Sequence, residues 1–341
     1  MSVNIDWDKL TFSLTPTKCM YIQKTDDNGI WQEGKYLPFG DITMSPSAGI
    51  LNYGQGLFEG LKAYKAKTGE VTLFRERENI KRMNDGARRL AMSPFSEEKF
   101  LEVVRELVVR NEEYIPPHGK GALYIRPLMF GSSPLLGVKA SKQNTMLIFV
   151  SPVGPYFKSG FKAVELVITQ QYHRAPGKGT GNVKNIGNYS GGMLPAKEVK
   201  AKGYSEVIYL DAKHDKYVEE VGAANFFCVK DNVLYTPELG SILPGITRKS
   251  IMQLAEEEFG MKVVEKKVSY EEVLNADEAF ASGTAAVISS IGSITFKGKK
   301  TIYNNMEVGP ITQKLYNLLR GIQFLEVKDT RGWVSVVDFK K

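Results

Sequence analysis

The sequence predicts an α+β protein of two domains, and three observations lead to that prediction. The chain has 341 residues, roughly twice the length of a typical domain of about 150 residues. Strand-like apolar runs and amphipathic helical stretches follow one another without an internal repeat or a regular βαβ series. Proline and glycine interrupt the pattern near 153–163, so we expect domains at 1–152 and 164–341 with this linker between them.

Apolar periodicity places the individual elements. Short runs of β-branched and aromatic residues favour strands, and apolar residues three and four positions apart favour helices. The predicted strands are 71–75, 123–130, 145–150, 164–169, 206–210 and 225–230, and the predicted helices are 78–90, 97–114, 195–202, 247–259 and 310–323.

The composition argues against several classes of protein. Apolar residues make up 43% and charged residues 24% of the chain, as in soluble globular proteins, and no stretch approaches the ~20 apolar residues of a membrane span. The net charge of +7 is spread among acidic residues, and the densest basic patch, 297–300, is short. We therefore expect no nucleic-acid or membrane partner, and a field that favours small anions.

Cysteine, histidine and the N-terminal residues give three further expectations. Cys19 and Cys228 are two isolated cysteines, which suggests no disulfide framework, and the three histidines do not cluster, which suggests no metal site. Residues 1–12 contain Asp6 and Asp8 and no apolar run, so the sequence predicts a cytoplasmic protein.

Residues 179–189, G-T-G-N-V-K-N-I-G-N-Y, contain one lysine, Lys184, in a segment too rich in glycine and asparagine for an ordinary helix. Glycine lets the backbone pass close to a ligand without a Cβ in the way. Lys184 is therefore a candidate covalent catalyst. The alternative is a solvated surface charge, which is common for lysine in such loops.

Two segments resemble anion-binding turns. In I-L-P-G-I-T-R, Pro244 and Gly245 form a turn, Thr247 is placed to cap a helix, and the free amides of Ile246 and Thr247 suit a phosphate. In S-G-T-A, residues 282–285 offer amides and hydroxyls after a strand. Each segment by itself is also compatible with ordinary structure.

Two charged positions complete the candidate site. Arg75 ends a strand and could bind a phosphate monoester in a bidentate manner, although it could equally be a surface arginine. Glu219 and Glu220 alternate before an apolar strand, so we expect one to face outward and one inward. The inward carboxylate would pair with a cationic nitrogen; the alternative is a solvated edge residue.

A lysine, two amide-rich turns, an arginine and a carboxylate together suit pyridoxal 5′-phosphate, which needs an amine, phosphate ligands and a partner for its ring nitrogen. The chain from Trp7 to Trp333 resembles the branched-chain amino-acid aminotransferases of the fold-type IV pyridoxal-phosphate family. The matching segments are L-N-Y-G-Q-G-L-F-E-G-L-K-A-Y (51–64), L-F-R (73–75), L-Y-I-R-P (123–127), G-N-V-K-N-I-G-N-Y (181–189), E-E-V-G (219–222), I-L-P-G-I-T-R (242–248) and S-G-T-A (282–285).

The resemblance implies an architecture like that of D-amino-acid aminotransferase, with a small N-terminal domain, a large C-terminal cofactor-binding domain and the active site between them. It also implies a homodimer whose partner subunit closes each site. In such an arrangement the linker around Tyr156 would be a mobile lid.

The resemblance also implies residue roles. Lys184 binds the cofactor covalently and then moves the substrate proton, Glu220 keeps the pyridine nitrogen protonated, and Tyr189 donates to the cofactor's phenolic oxygen. Arg75, the amides of Ile246 and Thr247, and Thr284 hold the phosphate. The substrate residues are Tyr53, Phe58, Tyr124 and Tyr189 around an aliphatic side chain, the Thr284–Ala285 turn for the α-carboxylate, and Arg126 for the distal carboxylate of glutamate.

The implied reaction is reversible, ping-pong transfer of the amino group of leucine, isoleucine or valine to 2-oxoglutarate. Ala223 and Ala224 stand where many relatives have a hydroxyl residue, as in a subgroup acting on methionine, so methionine and 4-methylthio-2-oxobutanoate stay alternatives. Three further activities also stay open at this point: those of a D-amino-acid aminotransferase, an aminodeoxychorismate lyase and a non-enzymatic phosphate-binding protein.

Overall fold

The computed structural model describes residues 5–154 and 161–339, which form two compact units. Unit 1 contains residues 5–154, 183–187 and 321–339, and unit 2 contains residues 161–182 and 188–320. The units are therefore interleaved along the chain, whereas the predicted limits, 1–152 and 164–341, treat each domain as continuous. These limits stay a prediction. Most of the predicted linker, with Tyr156, lies outside the described residues.

Strands and helices are numbered in chain order. The strands are β1 (Cys19–Lys24), β2 (Lys35–Pro38), β3 (Gly56–Phe58), β4 (Leu61–Lys65), β5 (Val71–Phe74), β6 (Ala122–Gly131), β7 (Asn144–Val153), β8 (Val164–Ile168), β9 (Glu206–Leu210), β10 (Tyr217–Val221), β11 (Ala224–Lys230), β12 (Val233–Pro237), β13 (Lys262–Lys266), β14 (Val268–Ser269), β15 (Glu278–Gly283), β16 (Val287–Phe296), β17 (Lys299–Ile302) and β18 (Val334–Val336). The helices are α1 (Gly49–Tyr53), α2 (Glu76–Arg89), α3 (Glu97–Arg110), α4 (Ile186–Ser190), α5 (Met193–Ala201), α6 (Ile246–Phe259), α7 (Tyr270–Leu274) and α8 (Pro310–Gln323).

The predicted α+β class is confirmed. The helix predicted at 97–114 differs at its end, because α3 stops at Arg110 and a 3-10 turn follows. Asn111 causes the break: its side-chain oxygen accepts from the amide of Cys19 at 3.0 Å and its nitrogen donates to the Cys19 carbonyl at 3.1 Å. Among the described residues, no helix has the length and apolar character that crossing a membrane requires.

Unit 1 is built on an antiparallel sheet in the order β18-β5-β4-β6-β7-β1-β2, with β3 beside β6. Side chains alternate between the two faces of a strand. On β6, Leu123 and Ile125 enter a core that also contains Ile80 of α2 and Leu107 of α3. The two helices thus cover one face, and the alternate β6 residues belong to the other.

Unit 2 contains a sheet in the order β13-β12-β11-β15-β16-β8-β9-β10-β14. An additional pairing of β10 with β11 closes six of these strands, β8, β9, β10, β11, β15 and β16, into a barrel. The parallel pairs β16–β8 and β8–β9 bring the strand that opens unit 2 into the middle of the sheet. Closure removes free edges and fixes the register of β10, the strand that carries Glu220.

Candidate active site

Lys184 lies in the short stretch of unit 1, 183–187, that interrupts unit 2. Leu57 and Asn185 form an antiparallel bridge, and the amide of Phe58 donates to the Lys184 carbonyl at 3.2 Å. The segment is thus held against β3 by one bridge and one hydrogen bond. The side chain of Lys184 is half-buried, and its Nζ lies 4.5 Å from the centre of the Phe58 ring.

Phe58, Tyr124 and Arg126 come together on the face of the unit 1 sheet opposite the helices. The Arg126 guanidinium lies 4.9 Å from the centre of the Phe58 ring and 5.1 Å from that of Tyr124, and it donates to the Tyr124 hydroxyl at 3.2 Å. Gly60 leaves room for this hydroxyl, since a Cβ there would lie 2.1 Å from it. Among the described residues, the buried Nε of Arg126 has no hydrogen-bond partner.

Glu59, which the sequence motifs did not single out, is fully buried next to Phe58. Arg82 binds both of its carboxylate oxygens at 2.8 Å, and Asn79 donates to one of them at 2.8 Å. Burial by itself raises the pKa of Glu59, but the charge and hydrogen bonds of Arg82, the charge of Lys184 and the bond from Asn79 together hold it below its ordinary value. Glu59 is therefore a fixed negative charge on the Lys184 side of unit 1.

Arg75 occupies a special backbone position. It has a φ of 51° and a ψ of 36°, the left-handed region, and is the N-cap of α2. Its amide donates to the Trp333 carbonyl at 2.7 Å, and its guanidinium lies over the Trp333 ring and 3.2 Å from a Glu78 oxygen. The side chain is buried rather than on the surface, which removes the surface-arginine alternative.

Tyr53 lies in another part of unit 1, at the end of α1. It is 41% exposed, and its hydroxyl donates to the carbonyl of Leu136 in the β6–β7 loop. Tyr53 therefore differs from Tyr124, which is nearly buried. Its predicted role at the substrate stays a prediction.

In unit 2, Glu220 is 1% exposed and is held by two residues that sequence reasoning did not single out. Arg174 forms an ion pair with it at 2.6 Å, and Asn225 donates to its other oxygen at 3.0 Å. Asn225 also donates to the Leu243 carbonyl at 2.9 Å. Asn225 could have been found from the sequence, because a hairpin turn at Gly222 places it opposite Glu220 on the neighbouring strand.

The burial of Glu219 contradicts one expectation from the sequence. We expected one of the two neighbouring glutamates to face outward, but both are buried, at 8% and 1% exposure. The register between β10 and β9 shifts between Val218 and Val221, as at a β-bulge, and strict alternation fails there. Burial raises the pKa of Glu219, which accepts a hydrogen bond from Ser241.

The N-terminus of α6 has the uncapped amides that phosphate binding needs. Its N-cap is Gly245 and no side chain caps it, so Thr247 is the second helical residue and not the predicted cap. A Cβ on Gly245 would lie 1.9 Å from the Asn225 side-chain oxygen, which explains the glycine. The first amides, those of Ile246 and Thr247, have no partner within the helix.

The S-G-T-A segment runs from β15 into a tight turn. Thr284 and Ala285 are half-buried in that turn, and Ser282 precedes it at 2% exposure, in register with Asn225. Among the residues that the structure describes, the Ser282 hydroxyl has no hydrogen-bond partner. Tyr189 is half-buried in α4, five residues after Lys184.

Comparison with known proteins identifies the family. The profile of the amino-transferase class IV family matches residues 56–294. A chloroplastic branched-chain-amino-acid aminotransferase of Arabidopsis thaliana is 48% identical over 330 residues, which cover 96% of this chain and 79% of the relative. The chain belongs to the branched-chain amino-acid aminotransferases of class IV. This membership makes the protein an enzyme and excludes the alternative of a non-enzymatic binding protein.

Two further members of this aminotransferase family are informative about the substrate and the cofactor. A methionine aminotransferase of Arabidopsis thaliana is 43% identical over 336 residues, 98% of this chain and 94% of the relative. A crystal structure of the T.th. branched-chain amino acid aminotransferase with pyridoxamine 5′-phosphate matches with a TM-score of 0.81 and 26% identity, and covers 96% of this chain and all of that one. Pyridoxal phosphate is the cofactor of the family.

The expectation of a cytoplasmic protein is contradicted. Relatives in this aminotransferase family are named chloroplastic in Arabidopsis thaliana and Humulus lupulus, and mitochondrial in Humulus lupulus. The expectation depended on the composition of residues 1–12, and a short stretch of that kind does not determine a compartment.

The residues present fit pyridoxal phosphate. The buried Glu220 carboxylate suits a protonated ring nitrogen, the uncapped amides of α6 suit a phosphate, and the Ser282 hydroxyl is a buried donor whose hydrogen bond is not used within the described chain. Lys184 supplies the amine. Each function that the cofactor requires is thus matched by a group of the right chemistry.

The lowered pKa of Glu59 predicts that the free energy of unfolding depends on pH. Its pKa in the folded protein is below the ordinary value of 4.5, so its contribution to stability is complete above about pH 4.5 and is lost as the pH falls through the folded pKa. We expect Glu59→Gln to lower the free energy of unfolding at pH 7 by about 3 kcal/mol, because Arg82 loses its buried partner. The difference from the wild type should shrink towards pH 3 in urea unfolding curves.

The matched control is Glu97→Gln, which removes a partly exposed partner of Arg77. Its unfolding free energy should stay within ~0.5 kcal/mol of the wild type at both pH values. A Glu59→Gln difference that is the same at pH 7 and pH 3 would contradict the prediction.

Proposed function

We propose that the protein transfers the amino group of L-leucine, L-isoleucine or L-valine to 2-oxoglutarate by a reversible ping-pong reaction, giving branched 2-oxo acids and L-glutamate. The observation that carries this proposal is the group formed by Phe58, Tyr124 and Arg126 on one sheet face, next to Lys184. Two aromatic rings suit an aliphatic side chain. The arginine between them suits the distal carboxylate of glutamate.

Pyridoxal phosphate, when bound, supplies an electron-withdrawing ring that accepts the charge left at the substrate's Cα after its proton leaves. Lys184 would hold the cofactor through its amine, and the same amine would serve as the base that takes the proton from the substrate's Cα. Phe58 confines the lysine side chain by contact with its ammonium group.

Glu220 keeps the ring nitrogen protonated in this proposal, since a buried carboxylate stabilises a cation beside it. Tyr189 donates to the cofactor's phenolic oxygen. Arg75, the amides of Ile246 and Thr247, and Thr284 bind the phosphate. The buried, tryptophan-stacked guanidinium of Arg75 supports its part, since such a group is already ordered and desolvated.

The two kinds of substrate place opposite demands on one pocket. An aliphatic side chain excludes water from the rings, and the distal carboxylate of glutamate needs a cation in the same place. Arg126 meets both demands, because its flat guanidinium packs on Phe58 and Tyr124 and still has a buried Nε that no described residue uses. The Thr284–Ala285 turn is proposed to receive the α-carboxylate.

Methionine and 4-methylthio-2-oxobutanoate form the second candidate substrate pair. Ala223 and Ala224 follow Gly222, so the chain has no hydroxyl in the hairpin between β10 and β11. A missing polar group there favours a longer apolar side chain. The methionine aminotransferase among the relatives supports keeping this alternative.

A homodimer is proposed as the working form. Leu136 and Val138, in the loop between β6 and β7, are 88% and 86% exposed, and Tyr53 is bonded to the same loop. Apolar side chains concentrated at one exposed loop are typical of a protein contact. We propose that this loop contacts a second copy of the chain.

The reaction is tested by mixing the purified protein with L-leucine and 2-oxoglutarate and measuring glutamate. We expect turnover and absorbance near ~410 nm from lysine-bound cofactor. Lys184→Ala should abolish both, whereas Lys178→Ala, an exposed lysine of the same glycine-rich loop, should keep both. Rates with leucine, isoleucine, valine and methionine decide the preference. Absence of glutamate with all four amino acids would reject the proposed function.

Replacing Arg126 should separate the two kinds of substrate. For Arg126→Met, we expect the KM for 2-oxoglutarate to rise at least tenfold, because the charged hydrogen bonds to the distal carboxylate are lost. The KM for 4-methyl-2-oxopentanoate should change less than threefold. The control is Arg110→Met, which removes an arginine stacked on Tyr36. Equal changes for both oxo acids would refute the role of Arg126.

The dimer is tested with Leu136→Asp combined with Val138→Asp, measured by light scattering during gel filtration. We expect the double variant to be monomeric, because two charges in an apolar contact cost several kcal/mol. Ile302→Asp, at a position that is 56% exposed in unit 2, should leave the dimer intact. A wild-type monomer, or a double variant that stays dimeric, would exclude this contact.

A further inference from the structure

Arg174 connects three segments of unit 2 through one guanidinium group. Its Nε forms the ion pair with Glu220 at 2.6 Å. One terminal nitrogen lies 3.3 Å from the Gly181 carbonyl and 3.3 Å from the Ser241 carbonyl. The side chain is only 5% exposed. A buried arginine with three acceptors from three separate segments is an anchor, because each acceptor restricts its orientation.

The segments that meet at Arg174 are those that the proposed function requires. Gly181 is the second-last residue of the loop 175–182, which is followed by Val183 and Lys184. Ser241 belongs to the loop 238–245, which leads into the uncapped N-terminus of α6. Glu220 is the buried carboxylate of β10. The amine, the phosphate site and the ring-nitrogen partner are thus all approached through segments that share one contact.

The two loops also touch each other directly. A Cβ on Gly181 would lie 1.8 Å from the Ser241 carbonyl oxygen, so only glycine permits the approach. The same carbonyl accepts from Arg174, and the Ser241 hydroxyl donates to Glu219. Ser241 is therefore fixed through its main chain and its side chain. Glycine has no side chain that could fix its backbone, and the Gly181 carbonyl accepts a hydrogen bond from Arg174.

Arginine is suited to this place in a way that lysine is not. Its donors point in different directions from one rigid plane, so Nε serves the carboxylate and the terminal nitrogen serves the two carbonyls. A lysine would supply one compact charge on a flexible stem. It would satisfy Glu220 or the carbonyls, but not all three in fixed geometry.

We propose that Arg174 is a positioning residue of unit 2 that holds the loop 175–182, the segment that precedes Lys184 in the chain, in fixed register with Glu220 and with the loop before α6. This inference rests on the proposed function for the roles of Lys184, Glu220 and α6. It extends that function because it assigns the alignment of the loop 175–182, Glu220 and the loop before α6 to a residue outside the set that binds the cofactor.

The first test uses the protein without added cofactor. Lys178 is an exposed trypsin site within the loop 175–182. For Arg174→Met, we expect cleavage after Lys178 to be about tenfold faster than in the wild type, because the loop loses its buried donor and opens more often. Arg174→Lys should give an intermediate rate. Mass spectrometry of early fragments identifies the cleaved bond.

The matched control is Arg248→Met. Arg248 is also 5% exposed in unit 2 and binds a carboxylate, Glu265 at 2.6 Å, and a carbonyl, Pro237 at 2.9 Å. Its loss should lower the melting temperature without accelerating cleavage after Lys178. Equal acceleration in both variants would show general destabilisation and overturn the proposal. If Arg174→Met does not fold, Arg174→Lys against Arg248→Lys decides the same question.

The second test adds pyridoxal phosphate and follows the absorbance near ~410 nm. We expect Arg174→Met to develop this band about tenfold more slowly than the wild type, with partial rescue in Arg174→Lys, because the loop that precedes Lys184 is less ordered. Faster cleavage with a normal band would reduce Arg174 to a structural anchor and overturn its positioning role. A wild type without the band would reject the proposed function, and the inference that rests on it, whatever the cleavage rates.

Discussion

A carboxylate that is only 1% exposed to water imposes conditions on everything around it, since an unpaired buried charge costs several kcal/mol. Glu220 is such a group, and unit 2 meets the conditions with Arg174 on one oxygen and Asn225 on the other. Asn225 also holds the Leu243 carbonyl and lies against Gly245, the residue that begins α6. The position of the helix N-terminus is therefore set by the same amide that satisfies the carboxylate.

In unit 1, the two faces of the sheet differ in composition: one face is apolar and the other carries polar and aromatic side chains. Along β6, Leu123 and Ile125 contribute to the core under α2 and α3, while Tyr124 and Arg126 alternate with them on the other face. The helix-covered face provides the stability, so the other face is free to carry an arginine and aromatic rings without weakening the core. Glu59 is the exception, a charge fixed by Arg82 beneath the residue that contacts Lys184.

The six predicted strands and five predicted helices are present, because apolar periodicity is a local property, whereas the other strands and helices of the described residues were not predicted. The strand at 206–210 and the helix at 310–323 have the predicted limits, and most of the other predicted elements differ by one or two residues at an end. The interleaving of the units did not follow, because it depends on contacts between residues far apart in sequence. The pattern of 219–220 failed for another reason, since the register shift between β10 and the neighbouring strand β9 depends on how the two strands pair.

Motifs in the sequence indicated some candidate site residues, and packing in the structure added others that no motif indicated. Lys184, Arg75 and Glu220 stand in the segments that carry the resemblance, and their roles at the cofactor stay predictions. Arg174 and Glu59 gave no such signal. Arg174 precedes a proline- and glycine-rich stretch whose composition is typical of a solvated loop. Glu59 lies between Phe58 and Gly60, and nothing in the sequence indicates that its side chain is buried.

The pairing of β18 with β5 joins residues about 260 positions apart, and it places the Trp333 ring against the Arg75 guanidinium. During synthesis the strands of the unit 2 barrel, which lie between 164 and 296, emerge before Trp333 does. Unit 2 can therefore close its barrel on the ribosome while the sheet of unit 1 still lacks an edge strand. Arg75 can stack on Trp333 only after most of the chain has been synthesised. The order of synthesis therefore delays this contact until the barrel of unit 2 can already have formed.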